Sequence, residues 1–148
     1  MFQGAVALSL DAKGRLAIPA RHRDALTAGC DGQLLLTVHP HNCLLIYPRT
    51  EWEPIQAKVL ALSSFDATSA LVKRMLVGFA EDQCMDAQGR VMVSPSLREF
   101  AGLEKDVRLV GQGNHFELWS AARWEAEKLK MGKLDLSSMS ESLGSLSL

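Results

Sequence analysis

The sequence predicts an α+β, β-rich fold in which one small unit of strands and short helices is written twice. Three observations predict it. The segment LSLDAKGRLAIP at residues 8–19 returns as QCMDAQGRVMVSP at residues 83–95, so that Asp11, Ala12, Gly14 and Arg15 reappear as Asp86, Ala87, Gly89 and Arg90, each 75 positions later. The echo continues downstream, where Arg23-Asp24 answers to Arg98-Glu99, and Leu44-Leu45-Ile46-Tyr47 with Trp52-Glu53 answers to Phe116-Glu117-Leu118-Trp119 with Trp124-Glu125. Around both motifs, apolar and polar residues alternate at the period of a strand. A unit of about 50 residues is marginal for a core of its own, so the two copies are expected to pack on each other.

The elements follow in chain order. Phe2, Val6, Leu8 and Leu10 share one face, with Gln3, Ala5 and Ser9 opposite, which reads as a half-buried strand. Asp11 suits the first position of a type I turn and Gly14 the fourth. Leu16 and Ile18 restart the alternation, so residues 5–18 read as a β-hairpin with a glycine in the left-handed region. The second copy reads the same way, with Gly89 in that position and Val91 and Val93 pointing inward. Each hairpin leads into a short helix. Pro19 suits a first helical position and Gly29 a C-terminal cap; in copy two, Ser94-Pro95 opens the helix and Gly102 closes it. A second strand pair follows, residues 34–38 with 43–47 and residues 107–111 with 115–119, and then a further helix near Trp52 and near Arg123. The domain reading is therefore a first repeat over 1–54, a helical spacer over 55–82, a second repeat over 83–134, and a Ser-rich tail over 135–148. Within the spacer, residues 55–62 and 66–79 have helical spacing and Asp66 suits an N-cap. Leu71, Val72, Met75, Leu76 and Phe79 make an apolar stripe for internal packing or for a subunit contact. The tail lacks a clear period and is expected to be disordered.

Composition narrows the function. The formal net charge is −1, so no global field draws the chain to nucleic acid or membrane, and any such binding needs a local patch. Cys30, Cys43 and Cys84 are an odd, scattered set without CxxC, which points to a reducing cytoplasm rather than a disulfide scaffold. The opening residues read as neither signal peptide nor membrane span. A nucleophile needs a base and an orienting partner, and the serines cluster in the tail, so no enzyme and no small-molecule substrate are expected. His39, His41 and Cys43 alternate and carry zinc-type donors. Pro40 and Asn42, however, read as a turn that breaks the alternation, so no metal or other cofactor is expected. Gly111-Gln112-Gly113 is a weak phosphate-loop lookalike and reads as a hairpin turn.

Nucleic acid fits better. Residues 1–25 hold Lys13, Arg15, Arg21 and Arg23 against Asp11 and Asp24, a local net charge of +2. A β-ribbon carrying Lys and Arg can enter a major groove; Arg can bond guanine bidentately, and both can hold phosphates. Copy two offers Gln88 and Arg90, and Gln can read an adenine edge. Arg15 has a second reading from its spacing, as a structural ion pair with Asp11 across the turn. The residues leave both open.

Two D-x-x-x-R motifs, Asp11 to Arg15 and Asp86 to Arg90, on hairpins of a duplicated chain that begins Met-Phe-x-Gly, resemble the MraZ family of bacterial transcriptional regulators of the division and cell-wall gene cluster. The likeness covers roughly residues 1–134. It implies SpoVT-AbrB-like swapped-hairpin repeats, here both supplied by one chain as a single pseudo-twofold β-barrel with short helices. It further implies a ring-shaped homo-oligomer, associated with the nucleoid, that binds double-stranded DNA at tandem G-rich direct repeats upstream of its own operon. The hairpin's basic residues carry over to Lys13 and Arg15, and in copy two to Arg90; Gln88 stands where copy one has Lys13, which makes the second hairpin unequal. A different class of reading is an AbrB-like antitoxin or a non-DNA assembly scaffold.

Overall fold

Strand periodicity governs both copies, and the chain runs through the same series of elements twice. In the computed structural model, which describes residues 1–135 and 141–146, copy one contains β1 (Ala5–Ser9), β2 (Arg15–Ala17), α1 (Ala20–Cys30), β3 (Gln33–His39), β4 (Cys43–Pro48) and α2 (Arg49–Leu60). After α3 (Ala67–Leu76), copy two repeats the series as β5 (Glu81–Cys84), β6 (Arg90–Met92), α4 (Pro95–Ala101), β7 (Asp106–Gly111), β8 (Phe116–Ser120) and α5 (Ala121–Met131). A single helical turn, α6 (Glu141–Gly144), lies in the stretch read as a disordered tail; the rest of that expectation, at 136–140 and 147–148, lies outside the described residues. Among the described residues no helix is long and apolar enough to cross a membrane.

The two copies do not fold side by side. A six-stranded antiparallel sheet runs β1-β7-β8-β4-β3-β5, and β2 pairs with β6 in a separate two-stranded ribbon. The expected hairpin over residues 5–18 is thus corrected: its turn forms, but β1 pairs with β7 and β2 with β6. Copy two does the reverse, β5 pairing with β3 and β6 with β2. The physical reason is burial. A lone two-stranded hairpin is marginal in water, whereas the partner strand in the other copy lets Leu10, Leu16, Ile18, Val91 and Val93 bury fully or nearly so in one shared cluster. The registers are self-inverse. Arg15 faces Met92 and Ala17 faces Arg90 about a central Leu16–Val91 pair. Leu44 faces Leu118 and Ile46 faces Phe116 about a central Leu45–Glu117 pair. A pseudo-twofold axis therefore passes through both central pairs.

Local signals explain the helix ends. Ser94 accepts a hydrogen bond from the Leu97 amide, Pro95 follows it, and Gly102 closes α4 in the left-handed region. Asp66 caps α3 by accepting from the Ser69 amide at 2.8 Å. Two expectations change. Pro19 precedes α1 rather than starting it, and Gly29 lies inside the helix. The closing turn is made by Asp31 at φ 53°, with Gly32 donating to Leu26 O and Asp31 to Thr27 O. The separate helix expected at 55–62 is the second half of α2, which runs unbroken past residue 54. The apolar stripe divides: Met75 and Phe79 pack on the main core and Leu76 on a second cluster around Trp52, while Leu71 stays 63% exposed.

Three rings close the core near the chain's start. Phe116 stacks on Phe2 at 4.3 Å, and His22 meets both edge-on at 5.4 and 5.1 Å. Phe116→Ala should cost about 3–5 kcal/mol, read as a lowered midpoint in chemical denaturation. Burial, with Arg21 nearby, holds the His22 imidazole below its ordinary pKa. Burial also lowers His39 and His115, against an opposing Glu117. A depressed histidine takes up its proton in the unfolded chain first, so folding stability should fall as the pH drops below about 6.5. Denaturation midpoints measured from pH 7.5 to 5 should decline, and a flat profile would show that these histidines titrate as in the unfolded chain.

Candidate nucleic-acid interface

Each D-x-x-x-R motif builds one closed turn. In copy one, Gly14 sits at φ 82° and donates its amide to Asp11 O at 3.0 Å, while the Asp11 amide donates to Arg15 O at 3.0 Å. The Asp11 carboxylate then organises the tip. Its Oδ1 accepts from the amides of Lys13 (2.9 Å) and Arg15 (2.8 Å), and its Oδ2 accepts from Arg15 Nε at 2.7 Å. Copy two reproduces this atom for atom. Gly89 is at φ 77°, Asp86 Oδ1 accepts from Gln88 and Arg90 amides at 3.0 and 2.8 Å, and Oδ2 accepts from Arg90 Nε at 2.9 Å. These bonds favour the charged carboxylate. Asp11 and Asp86 lie below the ordinary aspartate pKa, first because of the amides of Arg15 and Arg90 and then because of their guanidinium groups.

The ion pair with Asp11 does not exhaust Arg15. Only Nε is used by the pair, and Nη1 and Nη2 donate no hydrogen bond to another side chain or carbonyl among the described residues. The pair therefore fixes the direction in which the guanidinium fork points. In copy two the fork is further engaged, because Arg90 Nη2 donates to Gln88 Oε1 at 3.4 Å. Lys13 and Gln88 are both exposed at their tips.

The turns sit close to each other across the β2–β6 ribbon. Ile18 donates its amide to Gly89 O at 2.8 Å, and Val93 donates to Gly14 O at 2.9 Å. Two further arginines enter here. Arg23 Nε donates to Ile18 O at 2.6 Å and Arg98 Nε donates to Val93 O at 3.1 Å. Their recurrence 75 positions apart is visible in the sequence, yet nothing local to either residue shows that it crosses to the other copy's turn. The surroundings are unequal in charge. The cleft beside the first turn brings Arg98 and Lys105 against Asp11 and Glu104, whereas the cleft beside the second brings Arg23 against Asp24, Asp31 and Asp86. Copy two is thus the more acidic tip, in addition to having Gln88 for Lys13.

The other candidate chemistries resolve into structure. His41 donates its amide to His39 Nδ1 at 3.1 Å and Asn42 turns the chain at φ 64°, so His39, His41 and Cys43 do not line one strand face. Cys43 is buried, and burial pushes its thiol far above the ordinary value. Among the described residues no group of three or more His, Cys, Asp or Glu side chains is placed to hold a metal. The amides of Gly111, Gln112 and Gly113 donate to Gly4 O, His115 O and Phe2 O, which spends the donors a phosphate loop would offer.

The duplication seen in the strands has a counterpart among known proteins. The family described as "MraZ protein, putative antitoxin-like" matches residues 1–75 and again residues 76–143. The chain belongs to the MraZ family. Members named transcriptional regulator MraZ include those of Methylobacillus flagellatus, 64% identical over 127 residues and 86% of each chain, and of Azoarcus sp., 64% identical over 132 residues and 88% of each chain. That of Thiobacillus denitrificans is 52% identical over 127 residues, again 86% of each.

Proposed function

We propose that this chain is a cytoplasmic, nucleoid-associated transcriptional regulator that binds double-stranded DNA at tandem G-rich repeats upstream of its own division and cell-wall operon. Names of its relatives supply the regulatory class. The observation that carries the DNA reading is the first turn: a hydrogen-bonded tip with Lys13 exposed and a partly exposed Arg15 held at Nε by Asp11. Arg15 is suited to a base edge and Lys13 to phosphates. The sheet and the β2–β6 ribbon are read as walls of one pseudo-twofold barrel of the swapped-hairpin kind, an interpretation supported by strand pairing between copies. Neither a cofactor nor a small-molecule substrate enters this reading, and the domain division keeps repeats at 1–54 and 83–134 about the spacer.

The two tips are unequal in this account. Arg90, with Gln88 beside it in the more acidic setting, contributes less than Arg15. Arg90→Ala should weaken binding to the upstream duplex less than Arg15→Ala in a titration at fixed salt, and equal losses would remove the asymmetry.

Repetition on the DNA calls for repetition in the protein. A ring of identical subunits presents equivalent tips, and neighbours reach one face of a duplex a helical turn apart, roughly 10–10.5 bp. Two boxes should bind far more tightly than one through effective concentration. Inserting about 5 bp, half a helical turn, between two boxes should abolish that gain; unchanged affinity would mean that neighbouring subunits do not read neighbouring boxes. Leu71, exposed on α3, is the first candidate contact. Leu71→Glu should reduce particle size in light scattering, and a folded variant of unchanged size would take this residue out of the assembly.

The family description favours one second reading, an antitoxin. Co-expression with the product of a neighbouring gene, giving a stable complex that suppresses its toxicity, would support it over regulation of the operon.

A further inference from the structure

The turns are each held by the opposite repeat. Gly14 O is fixed by the Val93 amide, and the Arg98 guanidinium lies flat over Gly14: a Cβ at that glycine would stand 2.9 Å from Arg98 Cζ. Arg98 is itself tied at Nε to Val93 O at 3.1 Å. The mirror arrangement holds for copy two. Gly89 O is fixed by the Ile18 amide, Arg23 Nε is tied to Ile18 O, and a Cβ at Gly89 would collide with the Arg23 side chain. Glycine is favoured at both places by its positive φ, and a Cβ at either would have to displace the arginine lying over it.

We propose that Arg98 and Arg23 are crossed positioning residues, Arg98 setting the Lys13–Arg15 tip and Arg23 setting the Gln88–Arg90 tip. The proposal rests on the DNA-binding reading for its functional consequence, though not for its geometry. Both arginines are half-buried and donate Nε to the backbone carbonyl that directly follows a ribbon strand, Ile18 after β2 and Val93 after β6, which suits a brace better than a groove-facing cation. Planarity matters for this role: a flat guanidinium can cover a glycine and donate sideways from Nε, and a lysine ammonium can do neither. The two tips are then coupled through the ribbon, since each brace belongs to the strand-and-helix segment that carries the other turn.

The phenotype should therefore be crossed relative to the sequence. With the full chain and a two-box duplex from upstream of its own gene, Arg98→Ala should weaken binding roughly tenfold, the scale of losing one good base contact. Arg23→Ala, acting on the lesser tip, should cost clearly less. The slope of log affinity against log salt should stay as in the parent, because no phosphate contact is removed, and Arg98→Lys should fail to restore binding. Without DNA, amide NMR shifts should move at residues 12–15 in Arg98→Ala and at 87–90 in Arg23→Ala. The inference is overturned if each variant disturbs its own repeat's turn. It is equally overturned if the salt slope falls by about 0.9 and Arg98→Lys rescues, since Arg98 is then a phosphate contact. Should Arg98→Ala not fold, the NMR shifts of Arg98→Lys decide. Should the parent protein not discriminate this duplex, the DNA reading fails, and the amide shifts still decide whether the braces are crossed.

Discussion

Arg15→Ala is expected to remove specific DNA binding while leaving the fold and the assembly in place. Asp11 keeps its two amide donors from residues 13 and 15 in that variant, and Gly14 still closes the turn on Asp11 O. The lost interaction is an exposed ion pair, which contributes little to stability. The lost function is larger. One good bidentate base contact is worth about 1–3 kcal/mol of discrimination, and every subunit on the operator would forfeit it. Circular dichroism, light scattering and a gel-shift titration on one sample separate the outcomes. A variant that melts or dissociates would make Arg15 a structural residue.

Cutting the chain between its halves is expected to have the largest structural effect. Residues 1–75 contain β1 and β2, whose partners β7 and β6 lie in the other half, and residues 76–148 contain β5, whose partner β3 lies in the first. Isolated, the first half would expose Leu16 and Ile18, both fully buried in the whole chain. A half of this size buries only about 60% of its unfolded surface even when well folded. It should show a collapsed amide NMR spectrum, or pair with a second copy that stands in for the missing half; mixing the two halves should restore the native spectrum. A folded monomer of residues 1–75 would contradict the interleaved pairing.

This pairing is the part of the fold the sequence does not display. Alternation identifies which face of residues 5–18 is buried, but it is blind to the strand that covers the backbone edge. Leu16 looks the same opposite its own hairpin partner as opposite Val91. The duplication itself was legible, because Asp11, Gly14 and Arg15 each take part in the turn's hydrogen bonds and so mark both copies. At the site, Lys13 against Gln88 was legible as a difference between copies. The acidic setting of the second tip was not, since Asp24 and Asp31 reach Asp86 only through the crossed strands. Helix closure misled for a local reason: Gly29 is a reasonable cap by residue type, yet Asp31 takes the left-handed position two residues on.

The most direct test is a competition titration of the parent protein at about 0.15 M salt, using a duplex from upstream of its own gene against one of identical composition with the boxes shuffled. A sequence-specific regulator should prefer its own duplex by about a thousandfold or more, with affinity for both falling steeply as salt rises. Equal affinity for the two duplexes would contradict the account, leaving the exposed Lys13 and Arg15 tip with some other partner.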